Sequence, residues 1–390
     1  MPSIAMAMEK FSVHAGGAES YAVHLARRLV SAGWEVHFYG NSWDGDPPEA
    51  RFHEIPRPPR WWPASLRILH FAIRHRKAVR NRSYDVILGF GNTLEMNVYQ
   101  SHGGVHRRSA SRKVLAVPSW YGRLMKRISI AFSPKHHVRA WIESAPFRAE
   151  KRPVLIAISE MVRRDMSEYF GVPLNAIQLL YNGIDVQRFA GKEHGHHDDL
   201  RRELGFDQEV LFLFMSYDLR KKGARFLVEA AGKLRDRVGA GRFGVVFVGA
   251  APYRSLRKLV DRLELDSVVK FRGPTREPEA VYQECDVFVL PTFYDACSLV
   301  VFEAMAAGLP AITGMFNGAA GIITPGMDGV VLRNPADAEE ICDAMEIFLD
   351  PEVLAAASAA ARRTAGRYTL EANHDRMIAI LREAGQNGSQ

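Results

Sequence analysis

The stretch from Leu290 to Gly308 holds the residues best suited to chemistry: Asp295, then Ser298, Leu299 and Val300, then Glu303, eight positions after the first acid. An apolar run ends at Leu290, a polar loop follows, and Leu299-Val300-Val301-Phe302-Glu303-Ala304-Met305-Ala306-Ala307 opens a helix. Strand, loop and helix in that order put both carboxylates at the carboxyl edge of a parallel sheet, where open α/β sheets bind ligands. The amides of Ser298 to Val300 fall at the helix start, where N–H groups lack intrahelical acceptors and the dipole is positive, a setting suited to a diphosphate. A carboxylate accepts hydrogen bonds from both hydroxyls of a sugar diol. Together these types describe a place for a sugar carried on a diphosphate.

Three other groups point the same way. Arg220-Lys221-Lys222-Gly223 follows the apolar strand Val210 to Phe214. A lone Lys-Lys-Gly is usually a surface turn at a helix start, but here it comes soon after the first strand of the chain's second half, at the edge that carries Asp295. A lysine needs only point-charge attraction to act on a diphosphate. His14-Ala15-Gly16-Gly17-Ala18-Glu19 follows a strand and opens a helix, and its glycines permit close backbone approach to an anion or sugar; a plain tight turn is the alternative. His102, in Tyr99-Gln100-Ser101-His102-Gly103-Gly104, ends another strand, and a site role and a structural role both stay open for it.

The pattern Asp295, seven residues, Glu303-Ala304-Met305-Ala306-Ala307-Gly308-Leu309-Pro310 resembles the hallmark of the retaining group 1 glycosyltransferases of GT-B fold, with aspartate in place of the first glutamate and so one methylene shorter. Ile156-Ala157-Ile158-Ser159, Tyr181-Asn182-Gly183-Ile184-Asp185, Arg188-Phe189 and the Gly-Gly-Ala-Glu loop extend the likeness along the chain. The resemblance implies an α/β protein with two Rossmann-like domains facing a central cleft and a C-terminal helix packing back on the first. It implies Asp295, Lys222 and His102 as catalytic residues, and Gly16, Gly17, Lys221, Lys222, Arg276, Ser298, Leu299, Val300 and Glu303 as donor-binding residues, with Asp295 by the sugar, Glu303 on the ribose and the lysines on the diphosphate. It calls for a UDP-sugar as co-substrate and for no metal or other cofactor. By the same resemblance, the departing phosphate itself helps deprotonate the acceptor.

Asn41-Ser42-Trp43-Asp44-Gly45-Asp46, Gly89-Phe90-Gly91-Asn92 with Asn97-Val98-Tyr99, and Ser216-Tyr217-Asp218-Leu219 ahead of Arg220 are similar to the lipopolysaccharide-core heptose glucosyltransferases. That implies glucose as the sugar and an inner-core heptose as the acceptor. Another cell-envelope glycan or lipid acceptor, or a sugar-nucleotide epimerase or phosphorylase on the same fold, is the alternative.

The elements that must position these residues repeat twice. Ile4 to Met8, the helical Tyr21 to Val30 ended by Gly33, and the alternating Trp34 to Tyr39 form a βαβ unit, with further strands at Asp85 to Gly89, Asn97 to Gln100 and Val154 to Ser159. The polar stretch 191–199 reads as a linker. Strands then recur at Val210 to Phe214, Gly244 to Val248, Val268 to Phe271, Val287 to Leu290 and Ala311 to Thr313, before a helical stretch from Tyr368 to Ala384. The domains expected are 1–190 for the acceptor and 200–367 for the nucleotide sugar, with 368–390 as the returning helix. A chain of 390 residues suits two cores.

Charge is unevenly spread. Residues 1–190 carry 27 Lys+Arg against 15 Asp+Glu, a net of +12, and residues 191–390 carry 24 against 29, a net of −5. No acid interrupts Arg57, Arg60, Arg67, Arg74, Arg76, Lys77, Arg80 and Arg82, which lie beside Trp61 and Trp62, nor the second basic stretch from Arg107 to Arg139, which includes Trp120, Tyr121 and Phe132. Such runs attract phosphate-rich partners, nucleic acid or an anionic membrane, or are simply a solvated face. The absence of a nucleic-acid motif and the confinement of the excess to one half argue against specific nucleic-acid binding and for a glycan or lipid-linked acceptor at an anionic membrane. No apolar run is long enough to span a bilayer and the first residues lack a signal-peptide pattern, so the expected location is cytoplasmic and peripheral on the inner membrane face. Cys285, Cys297 and Cys342 have neither disulfide nor zinc spacing. Asp44-Gly45-Asp46 beside Pro47-Pro48 reads as an exposed turn, His194, His196 and His197 as linker residues, and Gly89-Phe90-Gly91 as an incomplete dinucleotide fingerprint, since Leu94 stands where its third glycine belongs.

Overall fold

The computed structural model describes residues 1–12, 17–44, 49–190, 199–249 and 253–388. Residues 1–114, 119–182 and 371–390 form one compact unit, and 183–370, with 115–118, form the other.

The first unit is built on β1 (Ser3–Ala7), β2 (Lys10–Ser12), β3 (Glu35–Gly40), β4 (Ser42–Asp44), β5 (Arg51–Glu54), β6 (Val86–Gly89), β7 (Val98–Ser101), β8 (Val154–Ala157) and β9 (Ile177–Leu179). Seven of these form a parallel sheet in the order β5-β3-β1-β6-β7-β8-β9, while β2 and β4 pair separately. Ile4, Ala5, Met6 and Ala7 are all buried, as expected of a parallel strand covered on both faces. The helix Leu370–Gly388 supplies Met377, Ile380 and Leu381 to the core that contains Ile4, Met6, Val86 and Leu88. Asn373 Nδ2 donates to the Tyr181 carbonyl at 2.6 Å, so this helix is held by polar contacts as well as by packing.

The second unit is built on β10 (Val210–Ser216), β11 (Phe243–Gly249), β12 (Val269–Gly273), β13 (Val287–Leu290), β14 (Ala311–Gly314) and β15 (Gly329–Leu332), in the order β12-β11-β10-β13-β14-β15, all parallel. In each unit the third, second, first and fourth strands of the main sheet lie side by side, so both are Rossmann-like and their order reverses beside the first strand, between β1 and β6 and between β10 and β13. Two Rossmann-like sheets and a C-terminal helix on the first agree with the fold expected from the sequence.

The differences are local. β2, β4, β5, β9 and β15 were not expected; β5 is the mostly exposed Arg51-Phe52-His53-Glu54, too polar to stand out as a sheet strand. The last helix begins at Leu370 and not at Tyr368, because Leu370 N–H and the Tyr368 carbonyl are both bonded to Ile184. Of the expected linker, 191–198 lie outside the described residues, as do Gly16, the four residues 45–48 of the turn beside Asp44, and all three linker histidines.

Candidate functional site

The loops that follow β10 and β13 meet where the strand order of the second sheet reverses. Close approach there depends on Gly223, whose φ is +78° and where a Cβ would stand 2.1 Å from the Pro291 carbonyl oxygen. Phe293 N–H donates to the Lys221 carbonyl at 3.0 Å, tying the two loops together through the backbone.

Lys222 projects from the first loop into the second. Its Nζ forms an ion pair with Asp295 and donates to Ser298 Oγ at 3.0 Å. Burial pulls the Lys222 ammonium below the ordinary lysine range, and Asp295 restores only part of that. Burial alone would push the Asp295 carboxyl up, but Lys222, Lys221 and Ser298 together outweigh it and hold the acid below the usual carboxylate range. Asp295 is fixed further by Cys297 N–H, which donates to Oδ1 at 3.1 Å, and by backbone bonds to Phe316 and Gly318.

Ser298 is the N-cap of the helix Leu299–Ala307, but its hydroxyl does not cap that helix. It faces Lys222 instead, and the amides of Leu299 and Val300 have no acceptor among the described residues. Lys221 makes no ion pair among the described residues. Two helix-end N–H groups and an unpaired ammonium are the donors an anion would use.

Glu303 lies on the second turn of that helix and accepts from Tyr282 Oη–H at 3.0 Å. Burial raises its carboxyl, against the pull of the Tyr282 hydrogen bond and of Arg188. Arg188 is itself paired with Glu279 at 3.1 Å. The structure therefore brings Lys222, Asp295 and Ser298 into direct contact, with Leu299, Val300 and Lys221 adjoining and Glu303 farther along the helix. Arg276 is exposed in the loop after β12, two strands away from β10 across the sheet, among Glu203, Arg272 and Thr275.

The remaining expected residues belong to the first unit. Gly17, with φ +77°, is the N-cap of the helix Ala18–Ser31, and Gly16 lies outside the described residues. The His102 ring packs against Tyr21 at 4.7 Å and Phe90 at 5.3 Å, its Nε2 is buried without a hydrogen-bond partner, and burial lowers its pKa to about 3. It is therefore a neutral imidazole at physiological pH.

Two positioning residues were missed from sequence. Tyr282 holds Glu303 from a separate helix, Pro278–Gln283, and no spacing rule connects them. Asn317 accepts from Ser298 N–H at 3.3 Å and from Ala319 N–H at 3.1 Å while donating to Thr313 Oγ1 at 3.0 Å; its Asn-Gly turn signal was available.

An acid–lysine pair beside open helix-end amides at the switch point of a Rossmann-like sheet, in a chain with two such sheets, is the arrangement expected of a nucleotide-sugar glycosyltransferase. Residues 15–188 match the family model described as Glycosyltransferase Family 4, and residues 208–350 match the one described as Glycosyl transferases group 1. The chain is accordingly a group 1 glycosyltransferase of GT-B fold. Among curated relatives, it is similar to the lipopolysaccharide glucosyltransferase WaaG of Escherichia coli (strain K12), 23% identical over 328 residues that cover 84% of each chain. A crystal structure of WaaG, a glycosyltransferase involved in lipopolysaccharide biosynthesis, superposes with a TM-score of 0.78 at 21% identity, covering 97% of this chain and 99% of that one. Anabaena Alr3699/HepE in complex with UDP-glucose superposes with a TM-score of 0.70 at 18% identity, covering 98% and 99%.

Proposed function

We propose that the protein is a retaining hexosyltransferase that moves glucose from UDP-glucose to a glycan acceptor, the heptose of a lipopolysaccharide inner core. The observation that carries the donor half is the Lys222–Asp295–Ser298 contact beside the unpartnered amides of Leu299 and Val300. In glycosyl transfer, positive charge develops at the anomeric carbon and negative charge on the departing diphosphate. Lys221 and the two amides stabilise the second charge by preorganised electrostatics, which need no rearrangement as the bond breaks. Asp295, kept ionised by Lys222, orders the sugar hydroxyls, and Glu303, oriented by Tyr282, takes the ribose diol. The leaving phosphate takes the acceptor proton, and no step calls for a metal.

The acceptor half is supported by the likeness to WaaG along most of both chains, and the uracil base and glucose by the UDP-glucose complex of the structurally similar HepE.

We place the enzyme on the cytoplasmic face of an anionic membrane. None of the described helices is long and apolar enough to cross one. The helix Trp120–Ala131 buries none of its residues, and it carries Trp120, Leu124 and Ile128 at four-residue intervals with Tyr121 and Met125 beside them. Arg123, Lys126 and Arg127 lie on its remaining face, the pattern of a helix that rests in a lipid interface.

A thermal-shift panel of UDP-glucose, UDP-galactose, GDP-mannose and ADP-glucose tests the donor. A true donor at about 100 times its Kd stabilises the fold by about 2.7 kcal/mol. The response to UDP-glucose should be weakened by Asp295→Ala and by Glu303→Ala, and transfer should persist in EDTA with the α-anomer retained by NMR. No response to any UDP-sugar would overturn the reading, and donor turnover without an acceptor would favour an epimerase.

A further inference from the structure

The first unit has a second concavity that the transfer step above does not use. A cavity of about 500 Å³ opens where chain leaving β1, β3 and β5 comes together, at Glu9, Asn41 and Arg57. These three strands are parallel, so the cavity lies at the carboxyl edge of the first sheet, the edge at which open α/β sheets receive ligands.

Its wall is cationic. Arg57 and Arg60 come from a loop stiffened by Pro56, Pro58, Pro59 and Pro63, Arg67 from the first turn of the helix Ala64–Arg80, and Lys135 and Arg139 from successive turns of the helix Pro134–Glu143. The two helices are held against each other by Ile68, Ala72 and Ile142, so the cations are carried on a packed base. None of these five side chains has an ion-pair or hydrogen-bond partner among the described residues; Lys10, also on the wall, is instead paired with Asp44 at 3.1 Å. Like charges gathered in a concavity repel one another, and Glu9 on the same wall is a single acid against the five. Arginine forks match phosphate oxygens two at a time, and a lysine adds a point charge.

We propose that this cavity seats phosphate monoesters borne on the acceptor sugar. The inference rests on the transferase reading and deepens it: the substrate class is a phosphorylated glycan, recognised through its phosphates in the first unit, apart from the donor diphosphate held in the second. A neutral acceptor would leave five cations unused.

The probe is inositol hexakisphosphate, a soluble ring of phosphate monoesters, titrated by calorimetry against the full chain with neutral inositol as control. Arg57→Gln/Arg67→Gln/Arg139→Gln is compared with Arg254→Gln/Lys258→Gln/Arg262→Gln, an equal charge loss on a helix of the second unit. The cavity variant should bind at least about ten-fold more weakly, as losing charge-assisted contacts implies, and the control should match the native chain. Equal weakening by both variants, or by neither, would overturn the assignment. Vesicles of phosphatidylcholine with phosphatidic acid separate the two sources of phosphate. Unchanged vesicle binding by the cavity variant supports a sugar-borne phosphate, whereas parallel loss assigns the cavity to a lipid headgroup and overturns it. A native chain that binds the probe through the cavity but gives no UDP-glucose thermal shift would sink the donor reading and leave this one standing.

Discussion

Lys222 and Asp295, 73 positions apart, are paired across the point where the strand order of the second sheet reverses, and Ser298 accepts from the same ammonium. The pair is nearly enclosed, and that determines what each member can do. Lys222 does not wait in solvent for a diphosphate; it is the internal counter-ion of the acid nearest the proposed sugar. Lys221, one residue earlier, makes no ion pair among the described residues.

Removing one partner should therefore be more harmful than removing both. An uncompensated buried charge costs about 3–5 kcal/mol. Lys222→Met and Asp295→Asn should each lower stability in urea denaturation by roughly the lower end of that range, and the double variant should fall well short of their sum. All three should lack transfer activity. Additive losses would mean that the ion pair is energetically idle.

The junction of the two loops leaves no room for a side chain at Gly223. Gly223→Ala combines a left-handed φ of +78° with a Cβ 2.1 Å from the Pro291 carbonyl oxygen, so the loop after β10 must retreat. Expected are a loss of about 2 kcal/mol or more and a weakened UDP-glucose response, as the strain is relieved by moving Lys222 away from Asp295. An unchanged melting temperature would show that the two loops are not in contact.

Acid sensitivity should have an identifiable source in His75. Its ring is fully buried against Tyr39, both nitrogens lack partners, and burial lowers its pKa to about 4. Because the folded value lies below the unfolded one of about 6.5, the unfolded chain binds the extra proton first. Stability is full above pH 6.5 and is lost as pH falls towards 4, by about 2 kcal/mol at pH 5. His75→Leu should remove that increment, so the gap in unfolding free energy between pH 7.5 and pH 5 narrows relative to the native chain. An identical gap in both proteins would rule His75 out as the source.

These relationships were legible to different degrees. β10 and β13 are unbroken apolar runs, and the helix after Ser298 follows a polar loop, so the frame of the second-unit site could be read from the sequence. The partnership of Lys222 with Asp295 could not, since hydrophobic periodicity locates elements but does not say which loops touch. Tyr282 was hidden for the same reason: it reaches Glu303 from a different helix. The basic cavity was visible as two acid-free stretches, but that Arg57 and Arg139 share one wall depends on the packing of Ile68 against Ile142. β5 was missed because its exposed polar residues resemble a loop.

The same charge excess raises a separate question of membrane attachment, and the helices answer it unequally. Arg76 and Arg80 on the helix Ala64–Arg80 are both bonded to Glu95, at 3.4 and 2.9 Å, which leaves that helix less free charge than its sequence suggests. On the helix Trp120–Ala131, Lys126 and Arg127 are paired with no acid among the described residues, and Trp120 and Phe132 at its ends are 77% and 81% exposed. Apolar insertion and headgroup attraction should both contribute there, each basic residue near an anionic surface adding about 1 kcal/mol. Trp120→Ala/Phe132→Ala should weaken sedimentation with phosphatidylglycerol vesicles at every salt concentration, whereas Arg123→Glu/Lys126→Glu/Arg127→Glu should abolish it at low salt and flatten its salt dependence. Reversal of Arg74, Arg76 and Lys77 should have the smaller effect. If that reversal releases the protein while the Trp120–Ala131 variants stay bound, attachment runs through the first basic segment and the exposed helix serves another purpose.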